Sequence, residues 1–285
     1  MNTLKQKIQP KPYPGLAQAI GLTAIFFGIT IFISILFVAA SLILGWQQNQ
    51  TSNLLIKFFG YIIPIGAVIL LGKTQKTKYE RSNKNFRFPG VKLSIYPLLF
   101  LIAFAFTLFT EPIVNLIPIP DFIKTIFEKA FSTDFLTLIL IVIIAPIMEE
   151  LLFRGIILDG FLKIYSPAKA IIWSSLLFGA IHLNPWQFIP AVAIGILMGW
   201  VYWKTKSLLP CIFIHFSTNL IGALMILMAN DPTASIQQLL NKDILYYSLI
   251  VISIAITILG FKVLNKTFQS NKSVTEEIIP SNQLK

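Results

Sequence analysis

The chain has 285 residues, of which 55% are apolar and only 12% charged, with a mean hydropathy of +0.76. That composition excludes a soluble globular enzyme and a disordered chain, and it is the composition of a polytopic membrane protein. Its 23 basic residues exceed the 12 acidic ones by 11. In a soluble chain this excess would point to nucleic acid; in a membrane chain it reports positive-inside asymmetry, so the expected partner is the lipid bilayer, with no nucleic acid.

Lys5, Lys7 and Lys11 precede an apolar run over 16–44. The run is too long for a signal-peptide core of ~7–15 residues and lacks a small-residue cleavage site, so it reads as a retained first helix. A spanning helix needs about 20 mostly apolar residues, and further candidates follow at 54–72, 93–115, 134–162, 169–184, 187–203, 207–228 and 244–264. The expected fold is all-α, a polytopic transmembrane helical bundle of about eight membrane helices. The segments 169–184 and 187–203 are short and separated by Asn184-Pro185, which predicts a tight turn and a helical hairpin that need not reach fully across.

Loop 73–92 carries Lys73, Lys76, Lys78, Arg81, Lys84, Arg87 and Lys92 against Glu80 alone, which predicts a cytoplasmic loop. Counting spans from it puts Lys163, Lys169, Lys204, Lys206, Lys262, Lys266 and both termini on that side. Segments 46–53 and 229–243 then fall outside, with Trp46 and Trp186 at the outer interface and Trp200 and Trp203 at the inner one. Between the spans, Pro118 to Thr133 mixes charges with Phe122, Ile123, Ile126, Phe127 and Phe131, a pattern for an interfacial amphipathic helix. The tail after Lys266 is polar and is expected to be disordered. Three parts are anticipated: N-terminal helices with the basic loop over 1–133, a catalytic helical core over 134–228, and a last helix with its tail over 229–285. Cys211, the single cysteine, precludes an intramolecular disulfide and is expected to pack as a small hydrophobe.

Ionisable groups inside spans are costly, roughly 2.5–3.5 kcal/mol each at the bilayer centre, and are functional candidates by default. Here they gather in one third of the chain. Glu149 and Glu150 are adjacent on a helix and point about 100° apart, so they cannot share a role. Glu150 and Arg154 stand at i and i+4, where an ion pair lowers the cost of burying both. Glu149 has no such partner and suits proton transfer. Pro146, one turn earlier, lacks an amide proton and frees a carbonyl beside these groups. Phe178 and His182 share a helix face, as do His215 and Asn219, and these are the only two histidines in the chain. Glu150 lies thirteen residues before Lys163, His182 thirteen after Lys169 and Asn219 thirteen after Lys206. At ~1.5 Å per residue the three helices present polar groups at a similar depth, roughly 14–20 Å from the basic side. A carboxylate base, two imidazoles and an amide donor are what water-dependent acyl cleavage requires. Ser217 faces away from His215, so direct water attack is the simpler chemistry.

The motifs Glu149-Glu150-to-Arg154, Phe178-to-His182 and His215-to-Asn219, in that order over about residues 134–225, resemble those of the CPBP intramembrane proteases, the CAAX protease and bacteriocin-processing (Abi) family. The resemblance implies a membrane hydrolase in which Glu149 activates water, His182 assists, and His215 and Asn219 hold the scissile carbonyl and its oxyanion, with Glu150, Arg154 and Phe178 in support. It implies a membrane-associated protein or peptide as substrate, cut at or within the cytoplasmic half of the bilayer. The family is often labelled metalloprotease, and Glu149, His182 and His215 could supply three ligands to Zn2+ with water as the fourth. There is no His-Glu-x-x-His to decide between the glutamate and metallo types. A proton-coupled transporter or a non-catalytic membrane scaffold are the alternatives; a transporter would carry inverted repeats with interrupted helices, and none is seen.

Overall fold

Backbone amides in hydrocarbon have no water to bond, so apolar chain of this length must satisfy them internally, and helices do so within one segment. The computed structural model describes residues 10–43, 50–82, 86–131 and 133–278, and among these there is no strand. In chain order the helices are α1 (Leu16–Ile43), α2 (Gln50–Glu80), α3 (Tyr96–Asn115), α4 (Asp121–Ala130), α5 (Phe135–Phe161), α6 (Pro167–Ala180), α7 (Pro185–Thr205), α8 (Leu209–Ala229), the short α9 (Ile236–Leu240) and α10 (Asp243–Ile278).

Seven of these, α1, α2, α3, α5, α7, α8 and α10, are long and apolar enough to cross a membrane. The eighth span expected from the sequence is α6, whose helix ends at Ala180 after 14 residues. At ~1.5 Å per residue that is about 21 Å, short of a hydrocarbon core of ~30 Å. The bundle is therefore polytopic as expected, with one helix of the expected hairpin reaching only part-way. Asn184 caps α7 by accepting from the Gln187 amide at 2.9 Å, which fixes the turn between the two.

The hairpin closes through small residues. A Cβ on Gly195 or Gly199 would stand 3.1 Å from Ser175 or 3.0 Å from Ile171, and one on Gly179 would stand 2.6 Å from Val192 Cγ2 and 3.1 Å from the Phe188 carbonyl. Close backbone approach of this kind replaces the hydrophobic drive that lipid cannot supply. Gly179→Ala is accordingly expected to lower stability by about 1–3 kcal/mol through overpacking. A melting temperature at or above wild type would show that the hairpin yields freely.

Outward faces are apolar and unpacked, as lipid contact requires: Ile31, Phe32, Ile35 and Leu36 on α1 and Val251, Ile252, Ile258 and Leu259 on α10 are all exposed. The inward face of α2 runs through Tyr61, Ile65, Val68, Ile69 and Gly72, the i, i+4, i+7 spacing of one helix side, and packs along α5.

One end of the bundle collects the basic segments. Lys76 Nζ lies 2.6 Å from Asp159, Lys163 bridges Asp159 at 2.8 Å and Glu80 at 2.7 Å, and the Lys11 amide donates to the Tyr79 carbonyl at 3.0 Å. Burial lowers the pKa of Lys163, but its hydrogen bonds to Asp159 and Glu80 outweigh that and raise it above the usual lysine value. Its contribution to stability is thus complete below the usual lysine pKa and is lost as pH rises through the raised one. Melting of the wild type should fall more steeply over that alkaline window than melting of Lys163→Met, and parallel pH profiles would contradict this pairing.

The opposite end carries α4, α9 and the α8–α9 connection. Segment 118–133 does form a helix over Asp121–Ala130, with Phe127 against Trp186 and with Phe122 and Ile126 exposed. Trp186 Nε1 donates to the Ile117 carbonyl at 3.0 Å, and Trp200 packs on Phe261 and Phe268. Trp46 and Lys84 lie outside the described residues. The tail departs from expectation, because α10 continues past Lys266 through Ile278; once a helix is nucleated by its apolar part, each added residue propagates it without the cost of a new nucleus. Residues 279–285 lie outside the described ones.

Candidate active site

Helix α5 is not regular. Leu140–Ile144 and Leu151–Leu158 are wound in π register on either side of the α-helical Ala145–Glu150, and such wider turns are frequent at functional sites. In the first π segment the Ala145 amide bonds the Leu140 carbonyl, five residues back. The next amide in that register would serve Ile141, but residue 146 is proline. The Ile141 carbonyl is met instead by Asn219 Nδ2 of α8 at 2.8 Å. The carbonyl freed by Pro146 therefore serves to fix Asn219.

Glu150 and Arg154 are wholly buried and paired, with Arg154 Nη1 2.7 Å from Glu150 Oε1. Arg154 Nη2 donates to the Gly195 carbonyl at 3.2 Å, and its guanidinium lies 4.6 Å from the centre of the Phe178 ring. The same Glu150 oxygen stands 3.0 Å from His215 Nδ1. A carboxylate ion-paired to arginine can only accept, so Nδ1 carries the proton and Nε2 is left as the reactive nitrogen. Nε2 in turn faces Glu149, 3.7 Å from its Oε2. The other Glu149 oxygen, Oε1, accepts a short hydrogen bond from the Tyr61 hydroxyl of α2. Glu149 is 7% exposed and His215 4%.

A cavity of about 400 Å³ adjoins these groups. His182, His215, Asn219 and Phe178 all line it, whereas Glu149 stands behind His215 and reaches it only through that imidazole. Phe178 separates the two histidines, making edge contacts with both rings at 5.6 and 5.4 Å. His182 Nδ1 lies 3.1 Å from the Phe178 carbonyl and 3.3 Å from that of Gly179, so it too donates and leaves Nε2 for the cavity. Most of the remaining wall is apolar, including Phe106, Phe127, Phe131, Trp186 and Ile194. Ser217 is buried and its hydroxyl donates to the Phe213 carbonyl at 2.7 Å. Cys211 is fully buried.

One expectation is corrected by this geometry. Glu149, His182 and His215 do not gather as a ligand set; among the described residues no three His, Cys, Asp or Glu side chains stand close enough to hold a metal ion. Phe178 stands between the two imidazoles, with edge contacts to both rings. The residues thus do not fit a three-ligand zinc centre. The cavity is walled by Ile119, Phe131, Thr133 and Asp231 to Ser235, at the end remote from Lys76 and Lys163.

A family model described as type II CAAX prenyl endopeptidase Rce1-like matches residues 131–221, the stretch that supplies every cavity and carboxylate residue above except Tyr61 and the walls from α3, α4 and the α8–α9 connection. Residues 131–221 of this chain are thus similar to that family of membrane proteases. Over 194 residues, 59% of this chain and 71% of the relative, it is 28% identical to CAAX prenyl protease 2 of Methanococcus maripaludis. Over 81 residues, 28% of this chain, it is 36% identical to UPF0177 protein YxdF of Lactococcus lactis subsp. lactis, of which the match spans 44%. No solved structure matches. The matched stretch corresponds to α5, α6, α7 and most of α8, with α2 and α3 packed against it.

Tyr61 is the residue at this site that motif reading missed. It lies 88 positions before Glu149 in an unremarkable apolar helix. The one available signal was a polar-tipped residue heading the buried stripe Tyr61, Ile65, Val68.

Proposed function

We propose that this chain is an integral-membrane endopeptidase of the glutamate type, which hydrolyses a peptide bond of a membrane-associated protein or peptide held in the cavity between α3, α5, α7 and α8. The observation that carries this reading is the Glu149–His215 pair, with Oε2 and Nε2 3.7 Å apart and the imidazole on the cavity wall that also bears His182 and Asn219. The largely apolar wall suits a hydrophobic segment arriving from the bilayer, and the basic end, by the positive-inside asymmetry, lies in the cytoplasm.

In this mechanism a water beside His215 attacks the scissile carbonyl carbon and gives up its proton to the Glu149–His215 pair. Glu150 holds the imidazole in the tautomer this needs, and the Glu149 carboxylate offsets the charge that His215 gains. The oxyanion that forms on the carbonyl oxygen is held by the second Nδ2 hydrogen of Asn219, and the unprotonated Nε2 of His182 on the same wall accepts from the attacking water. Collapse of the tetrahedral intermediate breaks the C–N bond as the pair returns its proton to the departing nitrogen, leaving a new carboxylate and a new amine. No serine or cysteine is acylated.

The test is incubation of the purified, lipid-reconstituted protein with membrane-anchored peptides in water enriched in oxygen-18, read by mass spectrometry. Internal cleavage with one labelled oxygen in each new carboxylate, undiminished by a metal chelator, is expected. Peptides left intact across the panel would overturn the protease reading, and loss of cleavage in chelator that is restored by zinc would overturn the glutamate type.

A further inference from the structure

We propose that Tyr61 is a positioning residue for the water-activating carboxylate: its hydroxyl ties up Oε1 of Glu149 and so presents Oε2 to His215. The proposal rests on the endopeptidase reading above and goes beyond its motif residues.

A carboxylate in a low-dielectric interior needs partners for both oxygens, and an unmet one costs about 1–3 kcal/mol or more. Glu149 has two neighbours of this kind. Tyr61 donates to Oε1, while His215 Nε2 stands 3.7 Å from Oε2, too far for a direct hydrogen bond. The tyrosine bond is therefore the closer constraint on where the carboxylate sits and which oxygen faces the imidazole. Without it the carboxylate can rotate about its last torsion, which is broad and roughly two-fold for a carboxylate.

Tyr61 itself is held firmly. Ile65, Val68 and Ile69, on the same face of α2, are 1%, 0% and 7% exposed, and a Cβ at Gly72 would come within 3.1 Å of Ile156 on α5. Farther along, Lys76 grips Asp159 at 2.6 Å and the Gly155 carbonyl at 3.1 Å. Helix α2 is thus fastened to α5 along its length, and the hydroxyl is placed by a rigid element rather than by a loop. Tyr61 and Glu149 do not line the cavity. A residue acting only through Glu149 should consequently alter turnover and leave substrate affinity alone.

The experiment is steady-state cleavage by wild type, Tyr61→Phe and Ile65→Val in lipid, each checked for monodispersity and melting. Tyr61→Phe should lose about tenfold to 100-fold in kcat at unchanged KM, the scale of effect that misplacing a reacting group produces. Ile65→Val, which trims the packing one turn away, should keep the wild-type kcat. A Tyr61→Phe variant with wild-type kcat, or one whose loss lies in KM, would overturn the positioning role while leaving the protease reading intact. A wild type that cleaves nothing would remove both. A double-mutant cycle on melting with Tyr61→Phe and Glu149→Ala reads the same contact without turnover: non-additivity is expected, and additive effects would contradict it.

Discussion

Glu149→Gln will lower kcat by about 10²- to 10⁴-fold, the range that a positioned general base contributes, with the fold retained. The amide keeps the volume of the carboxylate, and its carbonyl oxygen can still accept from Tyr61, so the α2–α5 contact survives. What it loses is the negative charge 3.7 Å from His215 Nε2, and with it the means to offset the proton that His215 takes up. Melting of the variant should stay near that of wild type, which separates a chemical defect from unfolding. A variant that still cleaves at wild-type rate would remove Glu149 from the mechanism.

Arg154→Met will instead destabilise the protein by about 3–5 kcal/mol, because it strands Glu150 at 0% exposure with its principal counter-charge gone. The guanidinium also caps the Gly195 carbonyl and lies over Phe178, so α5, α7 and α6 lose a common tie. Activity should fall along with stability, since Arg154 no longer holds the Glu150 carboxyl in place against His215 Nδ1. The expected reading is a much lower melting temperature or failure to accumulate in the membrane. Replacing both partners by apolar residues of similar size should cost less than losing Arg154 alone. If Arg154→Met melted with wild type, the buried pair would be of no structural consequence.

These contrasting expectations reflect what the sequence does and does not encode locally. Spans, the Asn184-Pro185 hairpin and the Glu150–Arg154 spacing follow from composition and from a helical period of 3.6, which depend on near neighbours. The choice of partner across helices does not. His215 could have met His182 as easily as Glu150 on spacing alone; Phe178 keeps the histidines apart, and its position follows from the rotation of α6 against α7, set by Gly179, Gly195 and Gly199. The part-length of α6 was foreshadowed by the shortness of its apolar run. The end of the bundle toward which the cavity runs was not, because it depends on the α8–α9 connection and α4 folding over that end. The π turns of α5 likewise have no marker in the sequence beyond Pro146, whose missing amide proton explains why Asn219 is drawn to Ile141.

Pairing of Glu149 with His215 is the centre of this account, and single-turnover cleavage in reconstituted vesicles by wild type, Glu149→Gln, His215→Ala and the double variant tests it most directly. Groups that act as one unit are strongly non-additive, so the double variant should be no slower than the slower single one. Single-variant losses that multiply in the double variant, or cleavage that survives either substitution undiminished, would contradict it.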